Sequence, residues 1–334
     1  MPFSHLPHDI AAWSSILAAA PVYVAHADTL QPRECLPVHG GYLVLMGEFM
    51  SREQLAVVVA QLQSRDIAWA LVPPFVLAEV QVLVLALDRY DAELALWLKA
   101  QEWPLDAAHV AELPNLAEPG LILMDMDSTA IQIECIDEIA RLAGVGEQVS
   151  AVTAAAMQGK LEFADSLRNR VALLKDAPVS ILDAVAANMP LMPGLTLLVD
   201  GAKAAGWKVA IASGGFTRFA GKLQQDLGLD HIEANNLETA GEVLTGQVLG
   251  RIVDAKVKAE TLQMLQNRYG IASGQTVAIG DGANDLPMLK AAGLGVAIHA
   301  KPIVREQAQV AIRQLDLEAV LCLLHAGARV AALR

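Results

Sequence analysis

Residues 121–134 read LILMDMDSTAIQIE, an apolar run that ends in two aspartates, Asp125 and Asp127, separated by one methionine. The run 121–124 is typical of a strand buried on both faces, as in a parallel sheet covered by helices. Because alternate residues of a strand share a face, both carboxylates could emerge from its carboxyl end in the same direction. Two such charges repel, so the pattern predicts either a cation beside them or an acid that is protonated during part of a reaction.

The composition favours an α/β enzyme and argues against a nucleic-acid-binding protein. The chain has 334 residues, enough for two domains with separate cores. Apolar residues make up 54% of it and aromatic residues 4%, and the formal net charge is −13. A chain this acidic repels nucleic acid and anionic lipid, so an anionic substrate would need a local group of cations. We therefore expect a small-molecule substrate, with neither a nucleic-acid nor a membrane partner.

Cysteine spacing and apolar segments predict a cytoplasmic protein. The three cysteines, Cys35, Cys135 and Cys322, lie far apart and are expected to be reduced. Residues 14–27 weakly resemble a signal peptide, but the first basic residue is Arg33. No uninterrupted apolar stretch of the sequence is long enough to span a bilayer.

The pattern of predicted elements divides the chain near the turn-rich segment 113–120. Residues 1–115 are predicted to form a small α+β domain, with strand 42–46, helix 52–64, strands 67–72 and 79–87, and helix 92–101. Residues 116–334 alternate between strands at 121–125, 207–212, 276–280 and 294–298 and helices at 194–205, 216–227, 255–268 and 284–292. Further helices are predicted between about 135 and 190. This alternation predicts an α/β domain with a Rossmann-like, doubly wound parallel sheet.

Two more polar motifs follow predicted strands of this sheet, and ligands of open α/β sheets bind at the carboxyl ends of the strands. Ser213-Gly214-Gly215 lies at the junction before the predicted helix 216–227, where backbone N–H groups can bind an anion. Residues 280–288, GDGANDLPM, offer hard oxygen ligands from two carboxylates and an amide. Either motif alone could be an ordinary turn or a helix cap. Together with the aspartate pair, they indicate a functional site at this edge of the sheet.

The three motifs and Lys258 resemble the haloacid dehalogenase superfamily, and within it the phosphoserine phosphatase family. Segments 134–138, 157–163 and 166–171 belong to the same resemblance, which covers roughly residues 120–325 and places a helical cap at about 135–192. It implies Mg2+-dependent hydrolysis of O-phospho-L-serine through a phosphorylated aspartate. The alternatives are a related phosphatase or phosphotransferase acting on another small phosphomonoester, or a non-catalytic protein that binds amino acids.

The resemblance also implies the catalytic groups. Asp125 would be the nucleophile, and Asp127 the general acid for the leaving oxygen and then the base for water. Lys258 would stabilise the charge on Asp125 and on the phosphoryl group. Lys256 lies two residues earlier on the same predicted helix, and the choice between the two lysines rests on the resemblance.

A magnesium site is implied at the same strand ends. Its direct ligands would be Asp125, the backbone carbonyl of Asp127, and Asp281. Asp285 would support the metal through water, and Asn284 would help to fix Lys258 or the phosphate.

The remaining implied residues bind substrate. Ser213 and the N–H group of Gly214 would bind phosphate oxygens. Glu134 would bind the ammonium of the substrate and Arg170 its carboxylate, through a two-pronged contact. On sequence alone, Glu134 could equally lie on a solvated helix face and Arg170 on the surface.

Two cap residues, Met157 and Phe163, would form an apolar lid that excludes water, although core packing explains either residue equally well. His299 follows a predicted strand and is interpreted as structural. In residues 1–115, the strand-helix-strand-strand-helix order is similar to ACT-like domains, which bind amino acids or pair subunits. A homodimer is therefore a further expectation.

Overall fold

The structure is a computed structural model that describes residues 1–26, 29–37, 40–157 and 162–334. The strands of the described residues form two separate sheets, one of six strands and one of seven. Of the predicted cap segment 157–163, residues 158–161 and the side chain of Met157 lie outside the described part. No helix within the described ranges is both long and apolar enough to cross a membrane.

In chain order, the strands are β1 (Val22–His26), β2 (Thr29–Arg33), β3 (Gly41–Gly47), β4 (Trp69–Leu77), β5 (Val80–Leu87), β6 (Asp106–Val110), β7 (Leu121–Met124), β8 (Lys208–Phe216), β9 (His231–Ala240), β10 (Val243–Leu249), β11 (Thr276–Gly280), β12 (Leu294–Ile298) and β13 (Val310–Ile312). The helices are α1 (Trp13–Ile16), α2 (Arg52–Ser64), α3 (Ala92–Lys99), α4 (Cys135–Leu142), α5 (Gly146–Met157), α6 (Phe163–Ala172), α7 (Ser180–Ala187), α8 (Leu195–Ala204), α9 (Thr217–Leu227), α10 (Ala255–Tyr269), α11 (Leu286–Ala291), α12 (Pro302–Gln307) and α13 (Glu318–Ala331).

The first sheet has the order β2-β1-β4-β5-β3-β6, and its pairs are antiparallel. From β3 to β6, with α2 and α3, the chain follows the βαββαβ order of ferredoxin-like folds. The predicted strands and helices of this region are confirmed, whereas β1, β2 and β6 were not predicted. The resemblance to ACT-like domains and the boundary at residue 115 stay predictions.

The two helices of this region begin at polar caps. Ser51 accepts a hydrogen bond from the Gln54 N–H group, and the Gln54 side chain accepts one from the Ser51 N–H group, which forms a capping box at α2. At α3, Asp91 accepts a hydrogen bond from the Leu94 N–H group. Each cap contributes about 1 kcal/mol to helix stability. The ends of both helices are therefore fixed by local sequence.

The second sheet has the order β10-β9-β8-β7-β11-β12-β13 and confirms the predicted Rossmann-like, doubly wound α/β fold. Its pairs are parallel from β9 to β13, while β9 and β10 form an antiparallel hairpin that was not predicted. All residues of β7, β11 and β12 are buried, as the apolar runs predicted. The next strand in the chain, β8, lies on one side of β7, and β11 lies on the other. Such a reversal of strand order opens a crevice at the carboxyl ends of these strands.

The segment predicted as a cap, which lies between β7 and β8, contains the four helices α4 to α7. In α4, Cys135, Ile136, Ile139 and Ala140 are buried. This spacing places them on one apolar stripe of the helix. Glu138 and Arg141 of α4 form an exposed ion pair, whereas Asp137 lines the cavity between the cap and the second sheet.

Helix α13 packs between the two sheets. Nine of its residues are buried, and it contacts α8 on one side and β3 and β5 on the other. Residues of all these elements belong to one continuous apolar cluster. The region before β7 and the region after it therefore share a core through α13.

The edge strands β6 and β13 also meet, and a buried carboxylate joins them. Asp106 of β6 accepts hydrogen bonds from the N–H groups of Arg313 (2.8 Å), Gln314 (3.1 Å) and Leu315 (2.9 Å). These bonds satisfy backbone groups that follow β13. Burial nevertheless raises the pKa of Asp106, and the backbone N–H groups act in the opposite direction.

Candidate active site

The predicted acids meet at the carboxyl ends of β7 and β11. The Asp125 N–H group donates to the carbonyl of Ile279 (3.0 Å), so the pairing of the two strands extends to Asp125. Carboxylate oxygens of Asp125, Asp281 and Asp285 lie within 4.8 Å of one another. The Thr129 hydroxyl donates to Asp281 (3.1 Å) and fixes its side chain. The side chains of residues 125 and 281 therefore face one shared site.

Lys258 lies beneath these acids and is fully buried. Its ammonium contacts Asp125 Oδ2 at 2.6 Å and Asp285 Oδ1 at 2.7 Å. Burial opposes the charge on Lys258, but the two carboxylates overcome this effect and raise its pKa. Lys256 instead has a side chain that is 79% exposed and lies 3.8 Å from Glu260. Of the two candidate lysines, only Lys258 is in the site.

The charges of the site fit a divalent cation. Three carboxylates gather around one ammonium, and burial raises the pKa of Asp125 despite the contact with Lys258. Burial, followed by the charge of Asp285, raises the pKa of Asp281 to about 6. A bound cation would lower both pKa values, as hard oxygen ligands require. The carboxylate of Asp127 is not part of this cluster. The predicted metal ligand from this residue is its backbone carbonyl.

Asp127 is suited to proton transfer. Its Oδ1 atom is buried and has no hydrogen-bond partner among the described residues. Burial, followed by the charge of Glu134, raises the pKa of Asp127 to about 7. A carboxyl group with such a pKa can both give and take a proton near neutral pH.

The helix predicted at 216–227 is confirmed, whereas the strand before it, predicted at 207–212, is longer than expected. Strand β8 continues through Ser213-Gly214-Gly215 to Phe216, and α9 begins at Thr217. The end of the strand is fixed by Asn235 of β9, which is buried and donates to the Gly214 carbonyl (2.8 Å). Asn235 also accepts from the Val253 N–H group (2.9 Å). Asn235 was not predicted as a site residue, because no strand was predicted at β9.

Two glycines allow close contacts between the sheet and the cap. A Cβ atom on Gly214 would lie 2.7 Å from Cζ of Phe163, the first residue of α6. A Cβ atom on Gly215 would lie 2.6 Å from Cε of Met126 and 3.0 Å from Oδ2 of Asp127. Because real Cβ atoms do not approach other atoms so closely, a Cβ at either position would force a neighbouring side chain to shift.

These residues surround a cavity of about 500 Å³ between the sheet and the cap. The predicted residues that line it are Asp125, Asp127, Glu134, Phe163, Arg170, Ser213, Gly214, Asp281 and Asn284. Lys258 and Asp285 lie behind the lining, buried against Asp125. Lys301 also lines the cavity and was not predicted, although it follows the carboxyl end of β12, as a strand-end search requires. His299, in the same loop, contacts Asp316 (2.7 Å) and does not line the cavity.

Opposite charges lie on the cap side of the cavity. Glu134 directly precedes α4 and accepts a hydrogen bond from Ser128 (2.9 Å), and burial raises its pKa. The guanidinium of Arg170 donates only a long hydrogen bond to the Ser166 carbonyl (3.4 Å), and burial lowers its pKa. Arg170 forms no ion pair within the described ranges. The cavity thus offers an anion for a substrate ammonium and a cation for a substrate carboxylate.

The parallel sheet and the acids at its strand ends define a haloacid dehalogenase-like hydrolase. The chain belongs to this family, whose model matches residues 119–293. It is 57% identical over 230 residues to the phosphoserine phosphatase of Vibrio cholerae, an alignment that covers 69% of this chain and 70% of that protein. The crystal structure of a probable phosphoserine phosphatase from Vibrio cholerae has 48% identity and a TM-score of 0.74, with 87% of this chain and 88% of that chain covered. A substrate-bound phosphoserine phosphatase complex has 43% identity and a TM-score of 0.58, with 61% and 97% covered.

Proposed function

We propose that this chain hydrolyses O-phospho-L-serine to L-serine and phosphate in a Mg2+-dependent reaction. The observation that carries the proposal is one cavity that joins Asp125, with Lys258 beneath it, to Glu134 and Arg170 on the cap. Phosphoserine needs all of these groups, because it presents a phosphate, an ammonium and a carboxylate. The high identity to phosphoserine phosphatases along most of the chain supports the same substrate.

Asp125 would attack the phosphorus atom, forming an acyl phosphate while the bond between phosphorus and the serine oxygen breaks. Asp127 would give its proton to the leaving serine oxygen. A water molecule would then attack the phosphorus of the acyl phosphate and lose a proton to Asp127, which releases phosphate and restores both aspartates. The pKa of about 7 supports both proton transfers by Asp127.

Mg2+ would be held by Asp125, Asp281 and the carbonyl of Asp127, with Asp285 in support, and would supply positive charge against the phosphate oxygens. Lys258 would keep Asp125 ionised and stabilise the charge that spreads over the phosphoryl group. Its contact with Asp285 holds the ammonium in place.

The remaining cavity residues would bind and enclose the substrate. Ser213 and the Gly214 N–H group would contact the phosphate, together with Asn284. The Ser213 hydroxyl already accepts a hydrogen bond from the Gly215 N–H group (2.9 Å), which orients it. Phe163 lies over Gly214 and would exclude water from the acyl phosphate. The predicted lid role of Met157 concerns a side chain that is not described.

We also propose a location and an assembly for the protein. Two of the three cysteines, Cys135 and Cys322, are buried free thiols, which supports a reducing, cytoplasmic location. We retain a homodimer as a prediction, with residues 1–115 as its contact region.

The test is a phosphate-release screen over small phosphomonoesters, with EDTA or with Mg2+. We expect the highest kcat/KM for O-phospho-L-serine, loss of turnover with EDTA and recovery with Mg2+. Asp125→Asn is the control that excludes a contaminating phosphatase, because it removes the attacking carboxylate. A clear preference for a sugar or aryl phosphate would favour the alternative, a related phosphatase with another substrate. Full turnover in metal-free protein would contradict the magnesium site.

A further inference from the structure

A second cavity, of about 120 Å³, lies where α3 and β6 of the first sheet region meet α12 and β13 of the second. We call it the junction cavity. Three cations line it: Lys99 at the end of α3, Arg305 in α12, and Arg313 directly after β13. One carboxylate residue, Glu306, lines it as well. The junction cavity is therefore positively charged in a chain whose formal net charge is −13.

Two of these cations are held in place by backbone carbonyls. Lys99 donates to the carbonyls of Ala308 (2.6 Å) and Glu306 (3.2 Å), across the junction. Arg313 donates in the opposite direction, to the carbonyl of Gln101 (2.6 Å). These contacts fix the geometry of the charges without neutralising them.

Carboxylates offset only part of this charge, because Glu306 lines the cavity and the charge of Arg313 acts on the nearby Asp106. Among the described residues, Lys99, Arg305 and Arg313 form no ion pair with an acid, and the nearby Asp106 accepts its hydrogen bonds from backbone N–H groups. Burial of Lys99 lowers its pKa, which shows that the charged ammonium is poorly solvated there. A poorly solvated cation costs free energy, and a small anion bound beside it would reduce that cost.

We propose that the junction cavity binds a small oxyanion of the size of sulfate or inorganic phosphate. Arg305 is half-buried, and among the described residues its guanidinium has neither an ion pair nor a hydrogen bond, so it is free to bind the anion. Lys99 and Arg313 would add charge from both sides of the junction. The anion would thereby link the two sheet regions. This site is separate from the catalytic cavity, so the proposal does not depend on the substrate.

The experiment is equilibrium dialysis of the full chain with labelled sulfate at fixed ionic strength. Arg305→Gln removes the charge, Arg305→Lys keeps it, and Arg251→Gln removes an exposed charge that is paired with Glu260 elsewhere. We expect Arg305→Gln to bind one sulfate fewer per chain, or to bind it about ten-fold more weakly. Binding by Arg305→Lys and Arg251→Gln should match the wild type.

Sulfate binding to the catalytic cavity does not confuse the result, because the three variants leave that cavity unchanged. Circular dichroism confirms that each variant is folded before dialysis. The proposal is overturned if wild type and Arg305→Gln bind sulfate with the same stoichiometry and affinity, or if the wild type binds none. It is also overturned if Arg251→Gln loses as much binding as Arg305→Gln.

Discussion

Replacing Lys258 with methionine should lower the free energy of unfolding far more than the same replacement at an exposed lysine. The ammonium contacts two carboxylates at 2.6 and 2.7 Å, and its side chain has no solvent exposure. Methionine has a similar length but leaves Asp125 and Asp285 buried without their cation. Breaking a buried ion pair by removing one partner costs about 3–5 kcal/mol of unfolding free energy.

Lys256 provides the matched control. It lies on the same helix two residues earlier, with a side chain that is 79% exposed. Lys256→Met should change the unfolding free energy by less than about 0.5 kcal/mol. Urea unfolding of wild type and both variants, followed by circular dichroism in EDTA, measures the two differences.

The pH dependence gives the experiment a second readout. In Lys258→Met, a buried carboxylate that has lost its cation has a folded-state pKa above its unfolded value. Its ionisation therefore destabilises the folded state at high pH, and protonation removes this penalty as the pH falls through the folded pKa. The deficit of Lys258→Met should accordingly be smaller at pH 5 than at pH 8. Equal unfolding free energies for Lys258→Met and Lys256→Met at pH 8 would refute the assigned role of the buried ion pair.

Three further variants test the active site. Asp127→Asn should lower kcat for phosphoserine by about 10²–10⁴-fold, because the leaving oxygen loses its acid. The leaving group of p-nitrophenyl phosphate needs no proton. This substrate should therefore still give a burst of nitrophenolate equal to the enzyme concentration. The acid is the protonated form of Asp127, whose pKa is about 7. Wild-type kcat/KM for phosphoserine should therefore fall as the pH rises above that value. A flat pH profile would contradict the assignment. Arg170→Ala should raise KM for phosphoserine much more than for an aryl phosphate, and equal effects would remove it from the carboxylate site. Gly214→Ala, whose Cβ would lie 2.7 Å from Phe163, should lower kcat/KM. Adding Gly214→Ala to a Phe163→Ala variant should lower kcat/KM by a smaller factor than Gly214→Ala does in the wild type.

The sequence predicted the centre of the catalytic domain well, because each motif followed a strand whose apolar run was unmistakable. Strands β7, β11 and β12 are buried throughout and carry no competing pattern. The carboxyl ends of parallel strands necessarily share one edge of the sheet. The sequence therefore predicted that Asp125 and Asp281 share one edge of the sheet, and the adjacency of β7 and β11, which was not predicted, brings them together.

Other features depend on tertiary contacts that local patterns do not encode. Strands β9 and β10 mix polar with apolar residues and are only partly buried, so neither shows the continuous apolar run of a central strand. Helix α13 was not predicted, and its place in the fold is set by contacts with α8, β3 and β5, which lie far from it in the sequence. Asn235 fixes the Gly214 carbonyl from a neighbouring strand, and no spacing in the sequence relates the two residues.

The position of α13 also bears on the order in which the protein can fold during synthesis. Strands β3 and β5 pack against this helix, yet its first residue, Glu318, is made about 230 residues after Leu87, the last residue of β5. Until α13 is made, the face of β3 and β5 that packs against it stays uncovered. The strands of the first sheet can nevertheless already form their hydrogen bonds with one another. A nascent chain that stalls before residue 318 should therefore expose an apolar sheet face and require a chaperone to stay soluble.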